Sequence, residues 1–490
     1  MNKPWIVSHI LFFPLIFLLL NASLLQFILP EYSFYDLHRI LELLIFGLLA
    51  GILMFSTQSD GYLLGSYRNL PLLTQILLPL FFILGSVSTG LHPSAPTSLG
   101  PLWIASLAFL MLGILYLGGL YQRFPRIVGK SLLILMLVSA GYYLLIEWGH
   151  YAQVQYLLRT QSFLDRDEWI QKLRFPQFAN PRFLDQALSW ILPLIVLPAL
   201  FFSKNKGLSF LLFLVSIGLW QMFWMSQSRA LLLELLLAAI FIPLIFHQSK
   251  TLLRPYLKAQ LLSLSLGFVL YFLLSHLVYT LPERSLSEAL NERGRLDIWR
   301  FTLSLISQHP GLGVGPLNFI HYAGLFNISH PHNAFLFIAV EWGLPAGLIF
   351  LCLVLWALIR ILQRAHPVSL FSIALSTSLL CGLINANFSG TLLMPVSQIL
   401  LMIILGLSLG IYPLHQRNHS SLSARLTLRI LIALLFFVSL RGIFPTVLTL
   451  PAQEALACES ALDALHPHRC PIIPGYFANH AGFESRHPPL

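Results

Sequence analysis

The sequence predicts an all-α protein that crosses a membrane about 12–13 times, from its composition and from its long apolar runs. Of its 490 residues, 57% are hydrophobic and 10% are charged, and the mean hydropathy is +0.77. Soluble domains are about 25% charged. So few charged residues cannot cover the surface of a water-soluble chain of this length. The composition therefore excludes a soluble enzyme, a nucleic-acid-binding protein and a disordered chain, although the net charge is +10.

Apolar runs long enough to cross a bilayer as a helix, about 20 residues, recur along the whole chain. We predict thirteen spans, at residues 6–29, 40–56, 71–90, 101–121, 131–148, 187–202, 208–226, 230–247, 259–278, 334–359, 367–387, 391–412 and 430–450. The first run follows Lys3 and has no small-residue cleavage site, so we expect a retained span rather than a removed signal peptide.

Basic residues predict the orientation, because Lys and Arg concentrate in short cytoplasmic loops. With a cytoplasmic N-terminus, Asp60 is the only acid on the inside, and the short outside connections add little beyond Arg39 and Arg229. Fifteen basic residues then lie inside: Lys3, Arg68, Arg123, Arg126, Lys130, Lys204, Lys206, Lys250, Arg254, Lys258, Arg360, Arg364, Arg417, Arg425 and Arg429.

The same orientation places three longer segments outside. A domain at 1–450 would carry loops at 149–186 and 279–333, and residues 451–490 would form a short outside tail. Loops of this length are uncommon and are more often functional than idle. The chain has no evident internal repeat, which weakens the alternative of a transporter built from inverted halves.

The tail contains Cys458 and Cys470, which we expect to form a disulfide in an oxidising compartment. Histidines in the same tail leave a metal site open as an alternative, but the spacing matches no zinc motif well. Cys352 and Cys381 fall within predicted spans and are expected to be inert.

Ionisable residues within spans are costly and are therefore functional candidates. Arg229 lies at the outer end of the seventh span, and Glu42, Glu234 and Glu341 lie a few turns in from the outer face. The three acids either balance inward-pointing arginines or pack helices independently of one another, and the sequence leaves both open.

The loop at 279–333 is the richest stretch of the chain. It contains Arg293, Arg295 and Arg300, with an amphipathic helical pattern from Asp297 to Ser307. A flexible glycine turn at 309–315 follows, whose spacing matches no nucleotide-binding motif. The loop ends directly before the tenth span, with the residues His330, Pro331, His332 and Asn333.

Arginine and histidine at one membrane face suit a particular chemistry. A guanidinium can bind phosphate oxygens through two parallel N–H bonds, and a neutral imidazole can accept a proton near neutral pH. Together they favour the transfer of a group whose leaving group is a lipid phosphate. Taken singly, each residue could equally be a solvated loop charge or a satisfied histidine.

Several short motifs in this region resemble the O-antigen ligase and O-antigen polymerase superfamily, which includes bacterial O-linked protein oligosaccharyltransferases. The motifs span about 180–345 in order. They are Phe178-Ala-Asn180-Pro-Arg182-Phe, Ser226-Gln-Ser228-Arg229-Ala230, Arg295-Leu-Asp-Ile-Trp299, His309-Pro-Gly-Leu-Gly-Val-Gly315, His330-Pro-His332-Asn333 and Glu341-Trp-Gly343.

The resemblance implies a GT-C-like membrane glycosyltransferase in the bacterial inner membrane, with an active site facing the periplasm and no metal or nucleotide cofactor. Such enzymes move a glycan from an undecaprenyl-pyrophosphate carrier to an acceptor, here lipid A-core, a pilin or other periplasmic protein, or a growing glycan. The loops 149–186 and 279–333 and the tail 451–490 would then be periplasmic. The family usually has twelve spans and an inside C-terminus, from which this chain departs.

The resemblance also assigns roles to residues. Arg229 and Arg295 would bind the pyrophosphate, and His332 would be the catalytic base that activates the acceptor hydroxyl. Asn180 and Arg182, with His330 and Asn333, would line the same cavity. From the residues themselves, we expect Asn333 to cap the tenth span and Pro331 to extend the chain, so that the two imidazoles point in different directions.

Three alternatives remain beside a ligase. One is a polymerase of lipid-linked glycans. The other two lie outside the enzymes and are a polytopic transporter of lipids or solutes and a non-catalytic membrane scaffold. Membrane lipids are partners in every case, and no nucleic acid is expected.

Overall fold

The fold is all-α and polytopic. A computed structural model describes residues 15–21, 23–26, 34–93, 99–160, 181–277, 293–323, 328, 330–363, 368–411 and 422–441. Within these ranges the chain forms helices and turns and no β-strand. Asn180, Cys458 and Cys470 lie outside them, so the disulfide and the role of Asn180 stay predictions.

The helices follow one another in this order. After the helical residues 15–20, the first nine are α1 (Ser23–Gln26), α2 (Phe34–Phe55), α3 (Thr57–Arg68), α4 (Leu72–Leu91), α5 (Leu99–Arg123), α6 (Pro125–Thr160), α7 (Pro181–Ile191), α8 (Leu197–Phe201) and α9 (Lys206–Ser226). The others are α10 (Arg229–Ile245), α11 (Lys250–Leu277), α12 (Arg293–Gln308), α13 (Phe319–Tyr322), α14 (Ala334–Trp342), α15 (Leu344–Gln363), α16 (Leu370–Asn385), α17 (Pro395–Ile411) and α18 (Leu422–Arg441).

Seven of the described helices are long and apolar enough to cross a membrane, by length and composition. They are α2 from Leu37, α4, α5 from Gly100, α6 as far as Gly149, α9, the segment His247–Ser275, and α18. Shorter apolar helices run from Leu344 to Arg360, in α16 and in α17. On α11 the apolar side chains of Phe268, Val269 and Phe272 are exposed, as expected for a helix that faces lipid.

Several predicted spans have the wrong limits, and three of them show why. The predicted span at 187–202 is two short helices, α7 and α8, because Pro193 interrupts the backbone hydrogen bonding. The predicted span at 334–359 is broken into α14 and α15 at Gly343, whose φ is +90°. The last predicted span, 430–450, begins eight residues earlier, since α18 starts at Leu422.

The chain divides into two compact units. The first contains residues 1–120, 293–357 and 413–490. Within it α5 packs against α2 through Phe46 and Phe109, whose ring centroids are 6.0 Å apart. It also packs against α14 through Trp103 and Phe337, 6.3 Å apart.

The second unit contains residues 121–292 and 358–412. Its helices α9 and α11 are in close contact, and the hydroxyls of Ser216 and Ser263 lie 2.9 Å apart between them. The break between α7 and α8 is stabilised by α11, where the hydroxyl of Tyr256 donates to the carbonyl of Pro193 at 2.9 Å. A carbonyl at the break thereby gains a partner away from water.

Candidate active site

The predicted site residues fall into both units. Arg295, His330, His332 and Asn333 belong to the first unit, around the start of α14. Arg182 on α7 and Arg229 on α10 belong to the second.

The two histidines form a compact turn. Nδ1 of His330 accepts a hydrogen bond from the backbone N–H of His332 at 3.2 Å. His332 has a φ of +53°, in the left-handed region. The ring centroids lie only 4.3 Å apart, at an interplanar angle of 72°.

This contact corrects the expectation that the two imidazoles point in different directions. A proline restricts the backbone of the residue before it, which here is His330, and leaves the residue after it free to turn. His332, directly after Pro331, adopts a left-handed backbone and turns the chain back. His330 is buried and His332 is partly exposed, so His332 is the more accessible of the two.

Asn333 is the N-cap of α14, as predicted. Its side-chain oxygen accepts hydrogen bonds from the backbone N–H groups of Phe335 and Leu336, both at 3.0 Å. These are donors that a helix start leaves without intrahelical partners. The cap fixes the point at which the histidine turn joins the helix.

Helix α12 carries Arg295 and contacts this histidine turn. The predicted helix at 297–307 is confirmed, and it is longer than predicted because it begins at Arg293. The indole N–H of Trp299 donates to the carbonyl of Pro331 at 2.9 Å. Arg295 is one helical turn before Trp299, and its side chain is partly exposed.

The glycine turn after α12 is held in place rather than free to flex. Gly313 and Gly315 have φ values of +68° and +95°, which only glycine adopts without strain. The backbone N–H of Val314 donates to the carbonyl of Val340, and that of Gly315 to the carbonyl of Glu341, both at 2.9 Å. The turn therefore satisfies carbonyls at the end of α14.

Two side chains that sequence reasoning missed complete this anchoring. The hydroxyl of Ser88, at the end of α4, lies 2.6 Å from the carbonyl of Leu312 and 3.0 Å from that of Glu341. The side-chain amide of Asn318 donates to the carbonyl of His92 at 3.1 Å. A serine inside an apolar run carries no signal of such a partner, because the partner is remote in sequence.

The three acids have different surroundings. Glu42 forms a buried ion pair with Arg39 within α2. Glu341 is fully buried, with the backbone amides of Leu317 and Phe319 near its carboxylate but no well-formed hydrogen bond to either oxygen. Of the two alternatives left open by the sequence, Glu42 therefore follows the first, in which an acid balances an arginine.

Glu234 is the third acid, and it lies in the second unit. It is fully buried on α10, near Ser189 of α7 and Asn385 of α16. Its neighbours belong to two other helices, so its position fits the helix-packing alternative.

Arg229 occupies the first residue of α10, directly after a tight turn. Gln227 has a φ of +52°, and the hydroxyl of Ser228 caps the helix by accepting from the N–H of Leu231 at 3.3 Å. The positive end of the helix dipole and the guanidinium are therefore close together, and both favour an anion. Arg182 is exposed in the first turn of α7.

Across the part of the chain that the structure describes, no group of three or more His, Cys, Asp or Glu side chains is arranged to hold a metal ion. The histidine turn itself offers two imidazoles in contact.

Taken together, these helices define a multi-pass, all-α membrane protein with a histidine turn beside an arginine-bearing helix. Residues 194–351 match the O-antigen ligase family, which confirms the resemblance drawn from the motifs. The matched segment contains Arg229, Arg295, His330 and His332, and ends within α15. It supports a membrane glycosyltransferase of the ligase or polymerase kind. The comparison with curated proteins gave no match.

Proposed function

We propose that the protein transfers a glycan from an undecaprenyl-pyrophosphate carrier to a hydroxyl of an acceptor at the periplasmic face of the bacterial inner membrane. The observation that carries the proposal is the hydrogen bond from Trp299 to Pro331, which joins the helix of Arg295 to the turn of His332. A guanidinium and an imidazole are thereby carried on connected segments. This connection supports a transfer whose leaving group is a phosphate.

In the proposed reaction, His332 takes the proton of the acceptor hydroxyl as its oxygen attacks the anomeric carbon of the glycan. The bond from that carbon to the pyrophosphate oxygen breaks, and the electron pair leaves with the carrier. Arg295 binds oxygens of the pyrophosphate and stabilises the charge that develops there, and the motif resemblance assigns the same role to Arg229. Electrostatic stabilisation of this kind is usually the largest single contribution to catalysis.

The partly exposed position of His332 supports its assignment as the base, since the acceptor must reach it. His330 is buried and accepts a hydrogen bond from the backbone of its neighbour, which supports a lesser role in shaping the turn. Arg182 and Asn333 keep the role of cavity residues that the resemblance assigns to them.

Transfer by the purified protein tests the proposal. The protein is reconstituted in liposomes with a lipid-linked glycan and, in separate reactions, lipid A-core, a pilin-type protein or a second lipid-linked glycan. An increase in mass of one acceptor is expected, and the acceptor that gains mass distinguishes a ligase from a polymerase. Failure of all three acceptors, with no release of the carrier pyrophosphate, would contradict a glycosyltransferase. Movement of lipid-linked glycan across the bilayer without transfer would instead support a transporter.

A further inference from the structure

Trp299 connects the two segments that carry the proposed chemistry. Its indole N–H donates to the carbonyl of Pro331 at 2.9 Å, across 32 residues of sequence. Pro331 is buried and lies between the two histidines. A buried backbone carbonyl outside a helix needs a donor, and the indole supplies one.

We propose that Trp299 is a positioning residue that fixes the separation between the guanidinium of Arg295 and the imidazole of His332. The inference rests on the function proposed above. Residues four apart on a helix are neighbours on one face, so Arg295 and Trp299 leave α12 on the same side. The indole then ends on the peptide group that precedes His332. One rigid aromatic side chain therefore links the proposed phosphate ligand to the proposed base.

The remainder of this region is anchored independently of Trp299. The C-terminal half of α12 packs through Leu305 and Ile306 into a buried cluster with Val314, Phe319 and Val340. At the other side of the turn, the cap at Asn333 fixes the start of α14. Loss of the indole N–H should therefore leave the fold intact and allow the histidine turn to move.

Movement of the turn matters because catalysis by two groups depends on their spacing. A displacement of about 1 Å can lower a rate about 100-fold. Binding of the lipid-linked donor depends less on this spacing, since it relies on the arginines and on the lipid chain. A positioning role thus predicts a fall in kcat with little change in KM.

The first test compares Trp299→Phe with the matched control Trp220→Phe. Both variants keep an aromatic ring and lose an indole N–H, and the N–H of Trp220 donates to Gln260 on α11 at 3.2 Å. For Trp299→Phe we expect kcat to fall roughly tenfold or more, with the donor KM and the thermal midpoint close to wild type. The control should keep wild-type kcat. Equal kcat in the two variants would overturn the inference, as would a loss accompanied by an equal rise in KM.

A second test does not depend on catalysis. Modification of His332 by diethyl pyrocarbonate is followed by mass spectrometry in purified wild type and Trp299→Phe, with the exposed His321 as internal reference. A faster modification of His332 in the variant, by about threefold or more, is expected if the indole restrains the turn. An unchanged rate would overturn the inference. If the wild type transfers no glycan, the proposed function is contradicted. The modification rate of His332 still shows whether Trp299 restrains the histidine turn.

Discussion

At the scale of single residues, the site depends on side chains whose chemistry cannot be replaced by a similar shape. A guanidinium is planar and permanently charged, and it can bind two phosphate oxygens at once, whereas an ammonium binds as a point charge. A histidine can accept a proton near neutral pH, whereas a glutamine only forms hydrogen bonds. These differences allow each proposed role to be tested by a conservative variant.

We predict that Arg229→Ala and Arg295→Ala each abolish or nearly abolish glycan transfer while expression stays normal. A charge-assisted hydrogen bond contributes about 1.5–3 kcal/mol, and more where a leaving group develops charge away from water. Lysine at either position should restore activity only in part, since the second parallel N–H bond is lost. Transfer assays on membranes with equal amounts of each variant measure this. Near-normal transfer by both alanine variants would contradict the proposal that these arginines bind the pyrophosphate.

For the base, we predict that His332→Gln lowers transfer roughly 10²–10⁴-fold, which is the usual contribution of a positioned general base. His330→Gln should have the smaller effect, because that imidazole is buried and accepts a hydrogen bond within the turn. Glycan-transfer rates of both variants, compared with that of the wild type, test this prediction. A fully active His332→Gln beside an inactive His330→Gln would show that His330 is the base.

At the scale of helices, breaks and caps place the site. Gly343 has a φ of +90° and approaches the carbonyl of Gly311 closely, so α14 ends there and the glycine turn packs against it. A Cβ at Gly313 would lie 2.5 Å from the carbonyl carbon of Glu341. The end of α14 and the glycine turn therefore fit together only with glycine at these positions. The apolar residues of such a run do not by themselves predict where the helix breaks.

The ion pair between α3 and α18 is a second feature of this scale. Nη2 of Arg429 lies 2.8 Å from Oδ2 of Asp60, whose side chain is fully buried. Burial raises the pKa of Asp60, and the nearby Arg429 and Arg425 offset this only in part. A raised pKa means that the folded state binds the proton more tightly than the unfolded chain. Asp60 then contributes less to stability as the pH rises from the unfolded pKa through the folded one.

Two variants of this pair should differ in the size of their effect. Arg429→Ala should lower the free energy of unfolding by about 1–3 kcal/mol near neutral pH, because it leaves a buried carboxylate without the guanidinium that is paired with it. Asp60→Asn should lower the free energy of unfolding much less at this pH. It removes the ion pair, but it also removes the cost of burying a charged carboxylate. The difference between the two should shrink at acidic pH, because a protonated Asp60 carries no charge for Arg429 to balance. Thermal unfolding in detergent at both pH values checks this, and a pH-independent difference would speak against it.

At the scale of the whole molecule, the distribution of charge predicts the orientation. Thr251 is exposed at the basic start of α11, and Ser307 is exposed on α12. In a chain without native cysteines, we expect Ser307→Cys to react with a membrane-impermeant thiol reagent in bacteria whose outer membrane has been permeabilised. Thr251→Cys should react only after the inner membrane is disrupted. Labelling of Thr251→Cys in intact inner membranes would refute the orientation, and with it a periplasmic site.

The sequence by itself determined the fold class and the residues of the histidine turn. Apolar runs of about 20 residues with few charges have no stable place in water, so they define a polytopic helical protein without knowledge of any contact. The motifs at 295–299, 309–315 and 330–333 are local, and so is the cap at Asn333, which bonds residues two and three positions away. Properties that depend on neighbours in sequence could be predicted.

Only the tertiary structure decided where apolar runs break and which distant groups meet. Ser88 contacts the carbonyl of Glu341 across 253 residues, and Trp299 reaches Pro331 across 32. The left-handed turn of His332, which brings the two imidazoles together, lies beside that second contact. Such backbone conformations cost energy locally and persist where surrounding contacts stabilise them. Because those contacts come from remote parts of the chain, no local pattern in the sequence predicts them.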